Sequence, residues 1–216
     1  MRSIVVFGAS SGLGATLIEH FCLQGKEVIA VARHPEKNAR LLTLGVQIVQ
    51  CDATKHEEIN KVVASLPKDS LVVSTMGSAR TSSPVDYIGH RNLVDALEKH
   101  SILRFLLVTS LGCGDSWSYL SEAARKGFGS IVREKSLAET WLTTSSLKYT
   151  IVRPGGLKDG EVTHSAQLTQ NEEVHGLISR QELARVISSL LESERSIGQV
   201  YACVDPSLTY QSGRVG

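Results

Sequence analysis

Ser3-Ile4-Val5-Val6-Phe7-Gly8-Ala9-Ser10-Ser11-Gly12-Leu13-Gly14 is the stretch that decides the fold. A short apolar run of β-formers stops at a glycine, and Leu13, Leu17, Ile18 and Phe21 then recur at helical spacing. The order is strand, tight turn, helix. Glycines let the backbone turn sharply and approach a pyrophosphate, whose charge then sits at the helix N-terminus. The expected contacts are Gly8, Ser10, Ser11, Gly12, Leu13 and Gly14, with the two serines adding hydroxyl donors or capping the helix. A glycine-rich heptapeptide alone is a weak signal, and a merely structural turn competes with it. Between a strand and a helix it reads as a dinucleotide site.

Working outward, short Val- and Ile-rich runs alternate with amphipathic segments. Strands are predicted at 3–7, 27–31, 47–50, 71–74, 105–109, 149–152 and 200–204. Helices are predicted at 13–24, 35–44, 55–64, 84–98, 130–144 and 180–191. Such alternation implies an α/β fold: a Rossmann-like, doubly wound parallel sheet with right-handed crossovers. No linker or repeat interrupts it, so residues 1–216 read as a single domain. Two stretches poor in periodicity, 112–129 and 155–176, follow predicted strands and should emerge at the carboxyl edge of the sheet, where ligands bind.

Composition excludes several classes. The formal charge is +1 and no Lys/Arg run exceeds two residues, so no basic face for nucleic acid is visible. The four cysteines form no C-x-x-C pair, which argues against a zinc site or a disulfide framework and suits a reducing compartment. The apolar run before Gly8 is too short for a signal peptide, and no segment approaches the ~20 apolar residues of a membrane span. The expectation is a soluble, cytoplasmic protein without a metal, with a homodimer through faces such as 84–98 left open.

The end of the second strand reads Val31-Ala32-Arg33-His34-Pro35. NAD sites commonly carry an acid here for the ribose hydroxyls. An acid would repel a 2′-phosphate, whereas Arg33 can bond it with a charge-assisted fork, which points to NADP(H). Arg33 as a plain surface charge is the bland alternative.

The glycine spacing G-x-x-x-G-x-G resembles that of the short-chain dehydrogenase/reductase superfamily, and the resemblance continues along nearly the whole chain. It implies that Asp52, in Cys51-Asp52-Ala53, receives the adenine amino group; an N-cap for the helix near Lys55 is the competing role. Ser74-Thr75-Met76-Gly77 would pass beneath the ribose. Typical members use a Tyr-x-x-x-Lys pair. Lys135 matches the lysine and would orient the nicotinamide ribose, or is simply a helix-surface charge, but Ile131 stands at the tyrosine position and has no proton to give. Phenol-based ketone reduction and sugar epimerisation therefore recede.

Val85-Asp86-Tyr87-Ile88-Gly89-His90-Arg91-Asn92-Leu93-Val94 and Tyr149-Thr150-Ile151-Val152-Arg153-Pro154-Gly155-Gly156-Leu157 resemble the fourth helix and sixth strand of atypical members. Together they are similar to the biliverdin-IXβ reductase/flavin reductase group and to bacterial reductases of opened tetrapyrroles, including anaerobilin reductase. Small NmrA-like proteins and proteins associated with chloroplast protein import share much of the pattern. The resemblance implies that Pro154, Gly155 and Gly156 lie against the nicotinamide carboxamide. It also implies that a hydroxyl at the end of the fifth strand contacts cofactor and substrate. Ser110 is the first candidate and Thr109 the second, since strand alternation should point only one into the cleft; a strand-end cap is the bland reading.

Beyond Leu111, Trp117 could stack on a flat conjugated ring or anchor the core, and Arg125 and Lys126 could meet bilin propionates or a flavin phosphate, or be solvated. Cys113 reads as a small buried residue. The activity expected is NADPH-dependent hydride transfer to a conjugated planar acceptor, a linear tetrapyrrole from haem breakdown or a flavin. A non-catalytic NADP(H)-binding sensor or scaffold of the NmrA-like type is the alternative.

Overall fold

Four strands are shielded on both faces along their whole length: β1 (Ile4–Phe7), β2 (Val28–Ala32), β4 (Leu71–Ser74) and β5 (Arg104–Val108). Their continuous apolar runs leave no solvent face, as a sheet covered by helices on both sides requires. The computed structural model describes residues 2–77 and 85–209. Around the central strands run α1 (Gly12–Leu23), α2 (Ala39–Thr43), β3 (Gln47–Gln50), α3 (His56–Ser65) and α4 (Val85–Lys99). There follow α5 (Glu122–Thr143), β6 (Lys148–Pro154), β7 (Gly156–Lys158), β8 (Gln167–Thr169), β9 (Leu177–Ser179), α6 (Arg180–Glu192) and β10 (Gln199–Val204).

The main sheet has the order β3-β2-β1-β4-β5-β6-β10-β8. Its pairs are parallel except for β8, which runs antiparallel to β10. The chain winds outward from β1 to β3, returns, and winds the other way from β4. The switch between β1 and β4 opens the crevice in which doubly wound sheets hold ligands.

Alternate residues of each strand feed opposite cores. Ile4 and Val6 join Leu17, Ile18 and Phe21 of α1 and Leu183, Ile187 and Leu191 of α6. Val5 and Phe7 join Ile59 and Val63 of α3, Leu93 and Leu97 of α4, and Leu142 of α5. Leu17, Ile18 and Phe21 have no exposed surface, so each contributes roughly 1.5–3 kcal/mol of apolar burial. On the edge opposite the crevice, Arg104 donates to the carbonyls of Leu190 and Leu191 and stitches the end of α6 to the sheet. Burial pulls its guanidinium down to about 10.

The seven predicted strands are present with ends shifted by two residues at most. Pro84, the first residue of one predicted helix, lies outside the described residues; that helix is described from Val85. The 35–44 segment divides into a 3-10 turn at Pro35–Lys37 and the five-residue α2. Two expectations need correction. The stretch 112–129 is not irregular: a 3-10 turn covers Gly114–Tyr119, and α5 begins at Glu122, two turns before the predicted 130. Ser121 is its N-cap, accepting from the Ala124 amide at 3.2 Å. Gly127 and Gly129 weaken the helical pattern, but packing overrides propensity here, since a Cβ on Gly129 would stand 3.1 Å from the Trp117 ring. The stretch 155–176 holds β7 and β8, each three residues and too short to show a period.

Candidate functional site

At the carboxyl ends of β1 to β4 lies a cavity of about 270 Å³, lined by Gly8, Ser10 and Ser11, by Arg33, His34 and Lys37, by Asp52 and Ala53, and by Thr75, Met76 and Gly77. The turn after β1 builds one wall. Gly8 has φ +87°, and a Cβ on it would stand 2.9 Å from the Met76 amide nitrogen, so the β1 and β4 ends cross at a separation only glycine allows. A Cβ on Gly14 would stand 2.1 Å from the Gly8 carbonyl oxygen, so Gly14 seats α1 against the strand. Ser11, the N-cap, makes no side-chain cap bond, which leaves the first amides of α1 to another acceptor. Gly12, Leu13 and Gly14 open the helix behind the cavity wall.

Arg33 and Lys37 bring two cations to the cavity, and neither makes an ion pair within the described residues. The sequence reading missed Lys37; its place in the 3-10 turn after Pro35 carries it back toward β2. Asp52 accepts from the Thr54 amide (3.1 Å) and hydroxyl (2.7 Å). The N-cap of α3 is Lys55, so Asp52 closes a local turn instead of capping that helix and still faces the cavity. Burial works against its charge, but the Thr54 bonds and the nearby Arg33 outweigh it and hold the carboxyl below its usual value.

A neutral network supports the floor. His90 Nδ1 lies 2.6 Å from the Asp86 carbonyl, so this nitrogen carries the proton, and Nε2 accepts from Ser74 Oγ at 2.9 Å. Ser74 Oγ accepts in turn from the Met76 amide at 3.3 Å. Burial first, and the Lys135 charge second, press His90 down to about 4 and keep it neutral. Lys135 Nζ lies 2.8 Å from the buried Asp86 carboxylate and 3.2 Å from where a Cβ on Gly77 would stand. The lysine is therefore held at the β4 turn and is not a free surface charge.

The turns after β5 and β6 are sewn together. The Leu111 amide donates to Pro154 O (3.0 Å), Gly155 to Cys203 O (3.0 Å) and Gly156 to Gly176 O (2.9 Å). Thr109 and Ser110 separate as strand alternation requires. The Thr109 hydroxyl is buried and donates to Glu139 at 2.5 Å, whereas Ser110 Oγ, among the described residues, donates to the Leu111 carbonyl alone, at 3.0 Å.

A second cavity, of about 180 Å³, lies beyond these turns between the Gly114–Tyr119 turn and residues 169–175. Leu111, Asp115, Tyr119, Leu120, Arg153 and His175 are among its walls. Arg153 forks onto Glu139 (2.7 Å) and reaches Asp115 (2.5 Å). Burial opposes its charge, but these carboxylates raise the guanidinium above its ordinary value.

Of the predicted substrate residues only Leu111 lines this cavity. Trp117 lies between Arg125 and Arg133, whose guanidinium carbons stand 5.6 and 5.0 Å from its ring. Arg125 also donates to the Trp117 and Ser118 carbonyls. Both Arg125 and Lys126 sit on α5 and not on a loop, and Lys126 is exposed and pairs with Glu122 at 2.7 Å. These three residues support the turn or face solvent instead of the cavity. Asp115 and Arg153 had no sequence signal as a pair, being 38 residues apart. Burial pushes Cys51 and Cys113 up to about 12, so neither thiol is poised as a nucleophile.

A glycine crossing at the sheet switch, cations beyond β2 and an uncapped helix define a dinucleotide-binding α/β protein. The chain belongs to the NAD(P)H-binding family, whose profile matches residues 8–194. Among solved structures it is similar to ChuY, an anaerobilin reductase from Escherichia coli O157:H7. The two share 42% identity over 97% of this chain and 100% of that one, with a TM-score of 0.89. It is 32% identical over 209 residues to an uncharacterized chloroplastic protein of Arabidopsis thaliana, covering 90% of this chain and 74% of the relative. It is 26% identical to the chloroplastic protein TIC 62 of Oryza sativa, covering 89% of this chain but 44% of the relative. No helix among the described residues is long and apolar enough to cross a membrane.

Proposed function

We propose that this chain is a cytoplasmic NADPH-dependent reductase that delivers hydride to a conjugated planar acceptor, a linear tetrapyrrole from haem breakdown before a flavin. The observation that carries the reading is the end-to-end similarity to ChuY.

The residues fit the cofactor. Gly8, Ser10 and Ser11 hold the phosphates; Arg33, with Lys37, answers a 2′-phosphate; and Asp52 and Ala53 border the adenine. Thr75, Met76 and Gly77 underlie the ribose, and Lys135, anchored by Asp86, orients it. Pro154, Gly155 and Gly156 form the backing for the nicotinamide, and Ser110 faces the junction of cofactor and acceptor. When bound, NADPH supplies the hydride. Positioning by these groups contributes roughly 7–11 kcal/mol at best, and solvent supplies the proton to a delocalised acceptor, consistent with Ile131 at the usual acid position.

The second cavity refines the acceptor's pose. At about 180 Å³ it is smaller than the ~300–1,000 Å³ of ordinary ligand pockets, so it receives part of the acceptor. Its Arg153 is already answered by two carboxylates, so acidic side chains of a bilin stay outside and the neutral conjugated part enters.

Steady-state loss of the NADPH absorbance band, measured anaerobically with anaerobilin, biliverdin and FMN, tests the reading. Turnover is expected, with a bilin exceeding FMN. NADPH binding without turnover of any acceptor overturns it in favour of a sensor.

A further inference from the structure

One cation near the α1 turn comes from the other end of the chain. Arg180 is the first residue of α6, and its Nη1 pairs with Asp159 at 2.6 Å. Its Nε is shielded from solvent and has no hydrogen-bond partner among the described residues. That nitrogen stands 3.8 Å from where a Cβ on Gly12 would be, beside the first residue of α1. Gly12 has φ +52°, and beyond its own turn the arginine is the neighbour that comes within 4 Å of that point among the described residues.

A shielded N–H without an acceptor is unfavourable. It lies beside a helix whose N-cap makes no side-chain bond to its first amides. One anion between them satisfies both. We propose that Arg180 is a pyrophosphate clamp: it donates from the α6 side to the phosphate oxygens that the α1 amides hold from below. The arm is set in advance. Ser179 donates to the Glu161 carbonyl at 2.9 Å, and Glu182 accepts from the His164 and Ala166 amides (3.1 and 3.2 Å). These bonds tie the segment carrying Asp159 to the start of α6, so Asp159 orients the guanidinium. The inference rests on the proposed dinucleotide site but assigns a residue with a different task from Arg33. Arg33 distinguishes NADPH from NADH, whereas Arg180 grips the part they share.

Calorimetric titration of the full chain with NADPH, NADH and adenosine 2′-phosphate separates the roles. Arg180→Gln is expected to weaken NADPH and NADH alike, by about ten- to hundredfold as for a lost charge-assisted bond. Adenosine 2′-phosphate, which has no pyrophosphate, is expected to bind within twofold of the unaltered chain. The melting temperature without ligand should hold, while the rise induced by NADPH shrinks. Unchanged NADPH binding overturns the clamp, and so does an equal loss for adenosine 2′-phosphate, which would mean general damage to the cavity. Should the glutamine variant not fold, Arg180→Lys keeps the charge without the fork and is titrated with the same ligands; the same two results overturn the clamp. If the unaltered chain binds none of the three, the dinucleotide reading itself falls and the clamp with it.

Discussion

The two cavities on this sheet differ in which of their charges are already paired. Beneath the first, His90, Ser74 and the Met76 amide form a neutral chain of hydrogen bonds beside the Lys135–Asp86 pair, and the cations Arg33 and Lys37 line the cavity with no ion pair among the described residues. The floor of the second is ionic but closed, because Arg153 is consumed by Glu139 and Asp115 before any ligand arrives. The first is arranged to attract phosphate. The second holds its cation Arg153 already paired, which under the proposed function suits a group that brings little charge. A buried cation is thus no guide to ligand charge until its partners are counted.

The sharpest way to break this comparison is Glu139→Ala. It removes the acceptor that Arg153 and the Thr109 hydroxyl share and leaves Arg153 with Asp115 alone, and a loss of about 1.5–3 kcal/mol is expected by urea unfolding. A loss below about 1 kcal/mol, the size of an ordinary exposed pair, would mean that the ion pair does not frame the second cavity.

The neutral floor makes a pH prediction. With His90 at about 4 in the folded chain and near 6.5 when unfolded, only the unfolded chain takes up that proton as pH falls through this window. Stability contributed by the neutral ring is complete above 6.5 and declines toward pH 4, by about 3 kcal/mol in all. His90→Asn should flatten that part of the slope in thermal melts between pH 7 and 5; parallel slopes would remove His90 as the cause.

The rim is tested by Arg33→Ala. NADPH binding should weaken by roughly ten- to over a hundredfold, or about 1.5–3 kcal/mol, with NADH barely affected. Equal losses in fluorescence titrations would show that Arg33 does not read the 2′-phosphate. The smallest effect is expected from Lys126→Ala, whose side chain is 76% exposed. Acceptor turnover should change by less than twofold, and a larger fall would place the acceptor beyond the cavity mouth, along α5.

Much of the first cavity was legible because its parts are local. Gly8, Ser10 and Ser11 fall in one turn, Arg33 ends one strand, Thr75 to Gly77 end another, and each turn follows a strand whose apolar run is plain in the sequence. The second cavity was not, since Asp115, Arg153 and its partner Glu139, and His175 come from a 3-10 turn, a strand, a helix and a loop with no shared period. The setting of Trp117, Arg125 and Lys126 was hidden for a related reason: Gly127 and Gly129 masked the start of α5, and the tryptophan seated on Gly129 shows why a helix forms there.

By itself the amino-acid order determined the winding of the sheet, the glycine turn and the cation beyond β2, because each depends on neighbours a few residues away. Tertiary structure alone decided which charges are already answered, as with Arg153, and which N–H has no acceptor among the described residues, as with Arg180. Pairing depends on distance in space, and residues as far apart as Gly12 and Arg180 acquire a separation only when the chain has folded.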